Sequence, residues 1–403
     1  MGKRKKQRKK ATSVARILLW ATLTGFALVS CALAGALAKA WIPLGALPSG
    51  ARLDRMERSK RFVDGRFVDI MPRREPNMLE ILPKWLEGGA PHRRPARPVP
   101  YKALSRKDFA TPPSSGLRIT WLGHSTLIIE ISGKRVLVDP VWGDFVAPLA
   151  MDSLRRFIPP PLPLTELPRI DLVVISHDHY DHLDYPTIAS FAQAEMPFYV
   201  PLGVGAHLEY WGISPERIRE HQWWGESIFD EDLTLVCTPA RHFSGRFLVD
   251  KDKTLWSGWA LLGRDKRVYY SGDTAMFPEL TKIGKRYGPF DATMIETGAY
   301  NQLWTDVHLG PEQAVLAHQM VQGDLMIPVH WGMFDLGLHG WTEPIERTLI
   351  AAHKSGVRVT TLRPGESVEP SLPITQDRWW PELPFRSAEE DPIVSSGLPA
   401  RLF

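Results

Sequence analysis

Leu172-Val173-Val174-Ile175-Ser176-His177-Asp178-His179-Tyr180-Asp181-His182 is the stretch that decides how this chain is read. Four apolar residues in a row describe a buried strand. Three imidazoles and two carboxylates then follow within six positions. Burying so many polar groups is costly unless something cationic pairs them. Imidazole and carboxylate are good ligands for zinc and related ions. His177 and His179 stand two apart, so an extended backbone aims both side chains to one side. Asp181 and His182 come after the chain turns and reach a second ion. Two ions about 3.5–4 Å apart form a known hydrolytic arrangement.

Working outward, three lone polar residues end other apolar runs. His242 closes Thr238-Pro239-Ala240-Arg241-His242 behind Thr234–Thr238. Asp273 sits in Ser271-Gly272-Asp273-Thr274 behind Val268-Tyr269-Tyr270, and His330 ends Met326-Ile327-Pro328-Val329. Each alone reads as a satisfied residue at a strand edge. In this order behind the His-X-His-X-Asp-His cluster, they read as further ligands.

This series resembles the ligand series of the metallo-β-lactamase fold. Trp121-Leu122-Gly123-His124-Ser125-Thr126, Val138-Asp139-Pro140-Val141-Trp142 and Val329-His330-Trp331-Gly332 narrow it. Together with the motifs at His242 and Asp273, they are similar to the branch holding N-acyl-phosphatidylethanolamine-hydrolysing phospholipase D and, more distantly, the ascorbate-6-phosphate lactonase. The likeness runs from Ser114 to Pro370. It implies an α/β protein with an αββα sandwich and the metals at one edge. It implies two Zn²⁺ ions, the first on His177, His179 and His242, the second on Asp181, His182 and His330, with Asp273 bridging. It implies that Asp181 orients the attacking water or takes its proton. His308, just before a helix opening at Pro311, matches a histidine of the phospholipase pattern and is the candidate acid for the leaving group.

The implied function is a dinuclear zinc hydrolase that cleaves a phosphodiester, of the N-acyl-phosphatidylethanolamine type, and releases phosphatidic acid. One alternative is a lactonase or other metal-dependent hydrolase of a small ester. Another is an inactive metal-bearing binding protein, against which the complete ligand set argues. His124, beside Gly123, is a candidate support for a ligand, or an edge residue of a hairpin. His339 is a candidate substrate contact. Arg241 and Arg246 read first as ordinary surface arginines, with holding a phosphate as the weaker alternative, and Trp223-Trp224 read equally as core residues or as lining a cleft or entering lipid.

The 403 residues are 44% hydrophobic and 23% charged, which excludes wholesale disorder and a fibrous repeat. Two cysteines, Cys31 and Cys237, exclude a disulfide scaffold and a four-cysteine zinc module. The net charge of +4 misleads, because residues 1–16 hold eight Lys/Arg and no acid. The rest of the chain is net acidic, so no broad nucleic-acid surface is expected. Residues 17–38 carry no charge until Lys39 and would span about 33 Å as a helix, enough for a bilayer core. The favoured reading is a retained signal anchor over 17–41, with Trp20 and Trp41 at its ends. A signal cleaved near Ala36-Leu37-Ala38 and a lipobox at Leu28-Val29-Ser30-Cys31 are the alternatives. The basic tail 1–16 would stay in the cytoplasm and the body would lie on the extracytoplasmic side.

Residues 42–115 are rich in Pro, Arg and Lys and read as a linker and an irregular arm. Residues 116–370 read as the catalytic domain and 371–403 as a tail. Strands are expected at Leu117–Trp121, Thr126–Ile131, Arg135–Val138, Leu172–Ser176, Thr234–Thr238, Trp256–Leu262, Arg267–Tyr270, Ala292–Glu296, Met326–His330 and Val357–Leu362. Helices are expected at Tyr185–Ala194, Pro278–Tyr287, Pro311–Val321 and Glu343–Lys354. Gly133-Lys134 reads as a hairpin turn.

Overall fold

The computed structural model describes residues 2–374 and 376–398, with the side chains of residues 2–17 left aside. The side chains of the basic tail, and parts of the C-terminal tail, therefore lie outside the described residues. The chain divides into two units, Met1–Leu44 and Gly45–Phe403. The first holds helix α1 (Gly2–Leu44). Its segment Leu18–Leu44 is long and apolar enough to cross a membrane.

The second unit opens with α2 (Ala51–Glu57), the short strands β1 (Phe62–Val63) and β2 (Arg66–Phe67), and α3 (Met78–Leu86). Then come β3 (Leu117–Gly123), β4 (Thr126–Ile131), β5 (Lys134–Val138), β6 (Leu172–Val174), α4 (Tyr185–Ser190), β7 (Phe198–Pro201), α5 (Gly205–Tyr210) and β8 (Ile218–His221). The second half holds β9 (Glu226–Asp230), β10 (Leu233–Thr238), β11 (Gly258–Gly263), β12 (Arg267–Tyr270), α6 (Glu279–Tyr287), β13 (Phe290–Glu296), α7 (Pro311–Met320), β14 (Gly323–Val329), α8 (Glu343–Ser355), β15 (Arg358–Val359) and β16 (Ser367–Val368).

Two seven-stranded sheets result, ordered β16-β3-β4-β5-β6-β7-β8 and β15-β14-β13-β12-β11-β10-β9. Side-chain alternation explains the layers. Leu117, Ile119, Trp121, Leu127 and Ile129 of one sheet share a core with Leu233, Leu235, Cys237 and Trp259 of the other. The opposite faces are apolar too. Ile128, Leu137 and Val173 pack with Ile188 of α4 and Leu208 of α5. Val236, Ala260 and Tyr269 pack with Leu280 of α6, Ala314 of α7 and Ala352 of α8. Sheets apolar on both faces need helices outside, so four layers form, αββα, as the resemblance implied. Each fully buried aliphatic side chain contributes about 1.5–3 kcal/mol relative to exposure.

Most expected elements appear with shifted ends. The β4–β5 turn is Ser132-Gly133, both at positive φ, and Lys134 already pairs with Ile131. That is the two-residue geometry of a tight hairpin. The run expected over Val357–Leu362 pairs only at Arg358–Val359. Leu362 instead enters the inter-sheet core, where its carbonyl accepts from Trp379 Nε1. The arm over 42–115 is more ordered than its composition suggests: Met56, Phe67 and Val99 all join the inter-sheet core.

Candidate metal centre

Strand direction brings the polar groups together. β5, β6 and β7 are mutually parallel, as are β12, β13 and β14. β3 and β10 each reach the same direction through two antiparallel steps. The C-terminal ends of β3, β5 and β6 therefore share one edge of their sheet, and those of β10, β12, β13 and β14 share one edge of theirs. His124, Asp139, the 177–182 segment, His242, Asp273, Glu296 and His330 each leave one of these ends.

The side chains converge in three overlapping groups. The donor atoms of His177, His179, His242 and Asp273 lie within 4.8 Å of one another, as do those of His124, Asp181, His182 and His330, and those of Asp273, Glu296, His308 and His330. Asp273 faces two of the groups at once. Its Oδ2 is 3.7 Å from His242 Nε2, 3.8 Å from His177 Nε2 and 3.1 Å from His330 Nε2. Its Oδ1 is 3.2 Å from His182 Nε2. Asp181 Oδ2 lies 3.2 Å from His330 Nε2 and 3.4 Å from His182 Nε2.

The far sides of the rings are anchored. His182 Nδ1 donates to Asp139 at 2.7 Å, His242 Nδ1 donates to the Val307 carbonyl at 2.6 Å, and His177 Nδ1 is hydrogen-bonded to Ser176 Oγ at 2.9 Å. Outer partners of this kind orient ligating imidazoles. The inward atoms fare differently: His182 Nε2 and Asp273 Oδ1 face each other at 3.2 Å as an ion pair but make no aligned hydrogen bond. Buried polar atoms are rarely left so. Buried, preoriented and unsatisfied nitrogen and oxygen donors fit divalent metal ions.

The electrostatics are divided in the same way. Burial and the neighbouring imidazoles hold His177 and His242 well below the usual imidazole range. Burial also opposes charge on His182 and His330, but Asp273 and Asp181 outweigh it, lifting His182 well above that range and His330 to about 10. Burial would raise Asp181 and Asp273, yet the surrounding imidazoles hold both well below the carboxylate range.

His124 is closer to the centre than a hairpin edge residue. It takes positive φ, its Nε2 is 2.8 Å from Asp181 Oδ2, and its ring is 4.0 Å from that of His330. His308 Nδ1 is 2.7 Å from Glu296 Oε2 and 4.0 Å from Asp273 Oδ2. His339 stacks on Tyr300, and its Nδ1 donates to the Gly340 carbonyl; it lines a cavity of about 20 Å³ with His124 and His330.

The structure decides three open readings: neither arginine is on the surface or free for a phosphate, and Trp223 packs in the core. Arg241 is fully buried and spends its guanidinium on the carbonyls of Met276, Ser396 and Pro72 and on Asp306. Arg246 is buried against the carbonyls of Asp178 and Leu183 and covers the Tyr180 ring. Neither arginine is placed to hold a phosphate. Trp223 is a core residue whose Nε1 donates to the Trp256 carbonyl, so it neither lines a cleft nor enters lipid.

Two further site members take no role from the sequence, although Asp139 stands in the motif Val138-Asp139-Pro140-Val141-Trp142. Asp139 accepts from the Ser176 amide, from Tyr270 and from His182. Glu296 is fully buried and accepts from the Thr274 and Leu309 amides as well as binding His308. Both end apolar runs, as His330 does; that position is the signal that marks them.

The fold and the convergent donors define a metal-dependent hydrolase of the metallo-β-lactamase class. A beta-lactamase superfamily domain matches residues 134–331. An uncharacterized protein of Mycobacterium tuberculosis is 44% identical over 332 residues, covering 80% of this chain and 88% of that one. N-acyl-phosphatidylethanolamine-hydrolyzing phospholipase D 1 of Caenorhabditis elegans is 36% identical over 250 residues, covering 59% of this chain and 70% of that one. The chain belongs to this family of metallo-β-lactamase-fold hydrolases. Among solved structures, an isothiocyanate hydrolase from Delia radicum gut bacteria shares the fold, with a TM-score of 0.51, 21% identity, and coverage of 62% of this chain and 98% of that one.

Proposed function

We propose that the chain is a membrane-anchored dinuclear zinc phosphodiesterase that hydrolyses an N-acyl-phosphatidylethanolamine-type phospholipid. The observation that carries this is Asp273, a buried carboxylate facing two four-donor groups, in a chain related to an enzyme named for that hydrolysis. His177, His179 and His242 would hold one ion, and Asp181, His182 and His330 the other, with Asp273 between. Two bound zinc ions would supply Lewis acidity toward the phosphoryl oxygens and a water with a pKa near 7.

The chain's own residues do the rest. Asp139, Ser176 and the Val307 carbonyl hold the ligand rings in register. Asp181, held ionised by its imidazole neighbours and 2.8 Å from His124, accepts a proton and orients water at the phosphorus. A P–O bond forms to the water oxygen, and the P–O bond to the ethanolamide alkoxide breaks. His308 supplies the proton that the alkoxide needs, with Glu296 gripping its Nδ1.

The deciding experiment offers the zinc-loaded full chain phospholipid diesters and lactones side by side, with products identified by mass. Phosphatidic acid and an N-acylethanolamine are expected. Ready lactone opening with every phospholipid untouched would refute the reading.

The segment Leu18–Leu44 is proposed as a retained anchor, with residues 1–16 cytoplasmic and the body across the membrane. The expected result is retention of the chain in the membrane fraction through an alkaline carbonate wash. Release by that wash alone would sink the anchor.

A further inference from the structure

The residue between His177 and His179 is an aspartate that belongs to none of the three donor groups found among the described residues. Asp178 is nonetheless buried, and a buried carboxylate has to be met by donors. Two come from the loop after His242: Gly245 N donates to Oδ1 at 2.8 Å, and Thr254 Oγ1 donates to Oδ2 at 2.7 Å. A third comes from α5, where His207 Nε2 stands 3.3 Å from Oδ2. The carbonyl of Asp178 is held as well, by the buried Arg246 guanidinium. The turn that carries two members of one donor group is gripped through the residue between them.

His207 is itself held from behind. Its other ring nitrogen, Nδ1, accepts from Ala46 N at 3.2 Å. An amide N–H on Nδ1 leaves that nitrogen without a proton, so the ring's single proton sits on Nε2 and points at Asp178. Trp211 stacks on the same ring, with 5.8 Å between centroids. The chain passes so close that position 45 admits no side chain: a Cβ on Gly45, at φ 80°, would lie 2.1 Å from Nδ1. The two residues that open the second unit therefore press on the ring that reaches the metal-ligand turn.

We propose that His207 is a positioning residue for the metal centre: seated by Gly45 and Ala46, it fixes Asp178 and, through Asp178, the aim of His177 and His179. The inference rests on the reading of His177, His179 and His242 as ligands of one ion, and adds the support that keeps two of them in register. Two ligands separated by one residue share that residue's φ and ψ, so a shift at Asp178 moves both. The effect is local to that ion. His182 is held independently by Asp139 at 2.7 Å, and His330 leaves the other sheet. Outer partners of ligands contribute about 10–100-fold to metal affinity, and His207, which acts through Asp178, belongs at the low end of that range. The passage of the chain behind α5 thus becomes part of the metal centre's support, although Ala46 and His207 lie 161 residues apart.

The test titrates the zinc-loaded full chain, in detergent micelles, with graded chelator, so that the two ions leave in separate steps. His242→Ala marks the step that belongs to the His177 group. His207→Phe keeps the bulk of the ring and removes both hydrogen bonds; the marked ion should bind about tenfold more weakly while the other stays at wild-type affinity. His207→Gln, whose amide can donate to Asp178 and accept from Ala46, should restore wild-type affinity. Gly45→Ala, which drives a Cβ into the ring, should reproduce the loss without altering any residue of the centre. Gly50→Ala, also forced into positive φ but with nothing within 4 Å of its Cβ, should not. Cobalt(II) in place of zinc gives a second readout: visible absorption from the His177 group should shift in His207→Phe and Gly45→Ala and stay put in His207→Gln and Gly50→Ala. Circular dichroism checks folding, and if His207→Phe does not fold, Gly45→Ala set against Gly50→Ala decides. Equal loosening of both ions, the mark of a merely structural role, overturns the proposal, as does failure of His207→Gln to restore. A wild-type chain with no ion on the His177 group refutes the ligand reading and this inference with it; one that binds the ion and is indifferent to His207→Phe refutes this inference alone.

Discussion

Asp273→Ala is expected to take the chain from two bound ions to at most one, with at least about 100-fold weaker binding of whatever remains. The figure is the upper end of the range for losing even an outer partner of a ligand, and Asp273 stands closer than that. Its two oxygens face His182 on one side and His177, His242 and His330 on the other. Without the carboxylate, two imidazole-rich groups confront each other with no anion between them. The metal-free protein adds a pH dependence of fixed sign. His182 and His330 are held above the ordinary imidazole range and are protonated at neutral pH. An entering ion must expel those protons, so affinity rises with pH and falls about tenfold per unit of acidification for each proton displaced. Elemental analysis after dialysis against graded chelator measures both effects, with circular dichroism as the check on folding. Two ions retained at wild-type affinity would remove Asp273 from its proposed place between them.

His308→Ala is expected to lower kcat on an unactivated phospholipid by about 10²–10⁴, the usual scale for a lost general acid. The geometry assigns the labour within the ring. Glu296 Oε2 holds Nδ1 at 2.7 Å, so Nε2 is the nitrogen that meets the departing alkoxide. Nitrophenolate leaves without a proton, so the same variant should lose far less on a nitrophenyl phosphodiester. Metal content measured alongside separates a lost acid from a lost ligand, since His308 also belongs to a donor group with Asp273, Glu296 and His330. Equal, small losses on both substrates would show that His308 is not the acid.

Much of this site is legible in the amino-acid sequence alone. His177, His179, Asp181, His182, His242, Asp273 and His330 all stand where an apolar run stops, and that punctuation is a local property of sequence. Glu296 obeys the same rule but lies in no motif, and Asp139 lies in one yet draws no role, because nothing local in sequence says which groups a lone carboxylate will meet. Arg241 and Arg246 mislead in the other direction. An isolated arginine reads first as a surface residue and second as a substrate contact, whereas both are buried and consumed by carbonyls that only folding brings near. The hairpin of β1 and β2 is hidden by the Pro-rich composition of the arm, although Asp64-Gly65, both at positive φ, is a strong turn signal.

By itself the sequence determined ten of the fourteen strands of the two sheets, four of the covering helices and the order in which the metal-type donors arrive; β7, β8, β9, β16 and α5 carried no signal strong enough to mark them. Hydrophobic periodicity and motif spacing are written along the chain, so they need no third dimension. The tertiary structure decided which nitrogen of each ring faces inward, that His124 reaches Asp181, and that Glu296 grips His308. Those are relations between strand ends and loops brought together by parallel pairing across two sheets. Sheet registry and chain direction, set by burial over the whole core, fix them; no window of sequence contains them.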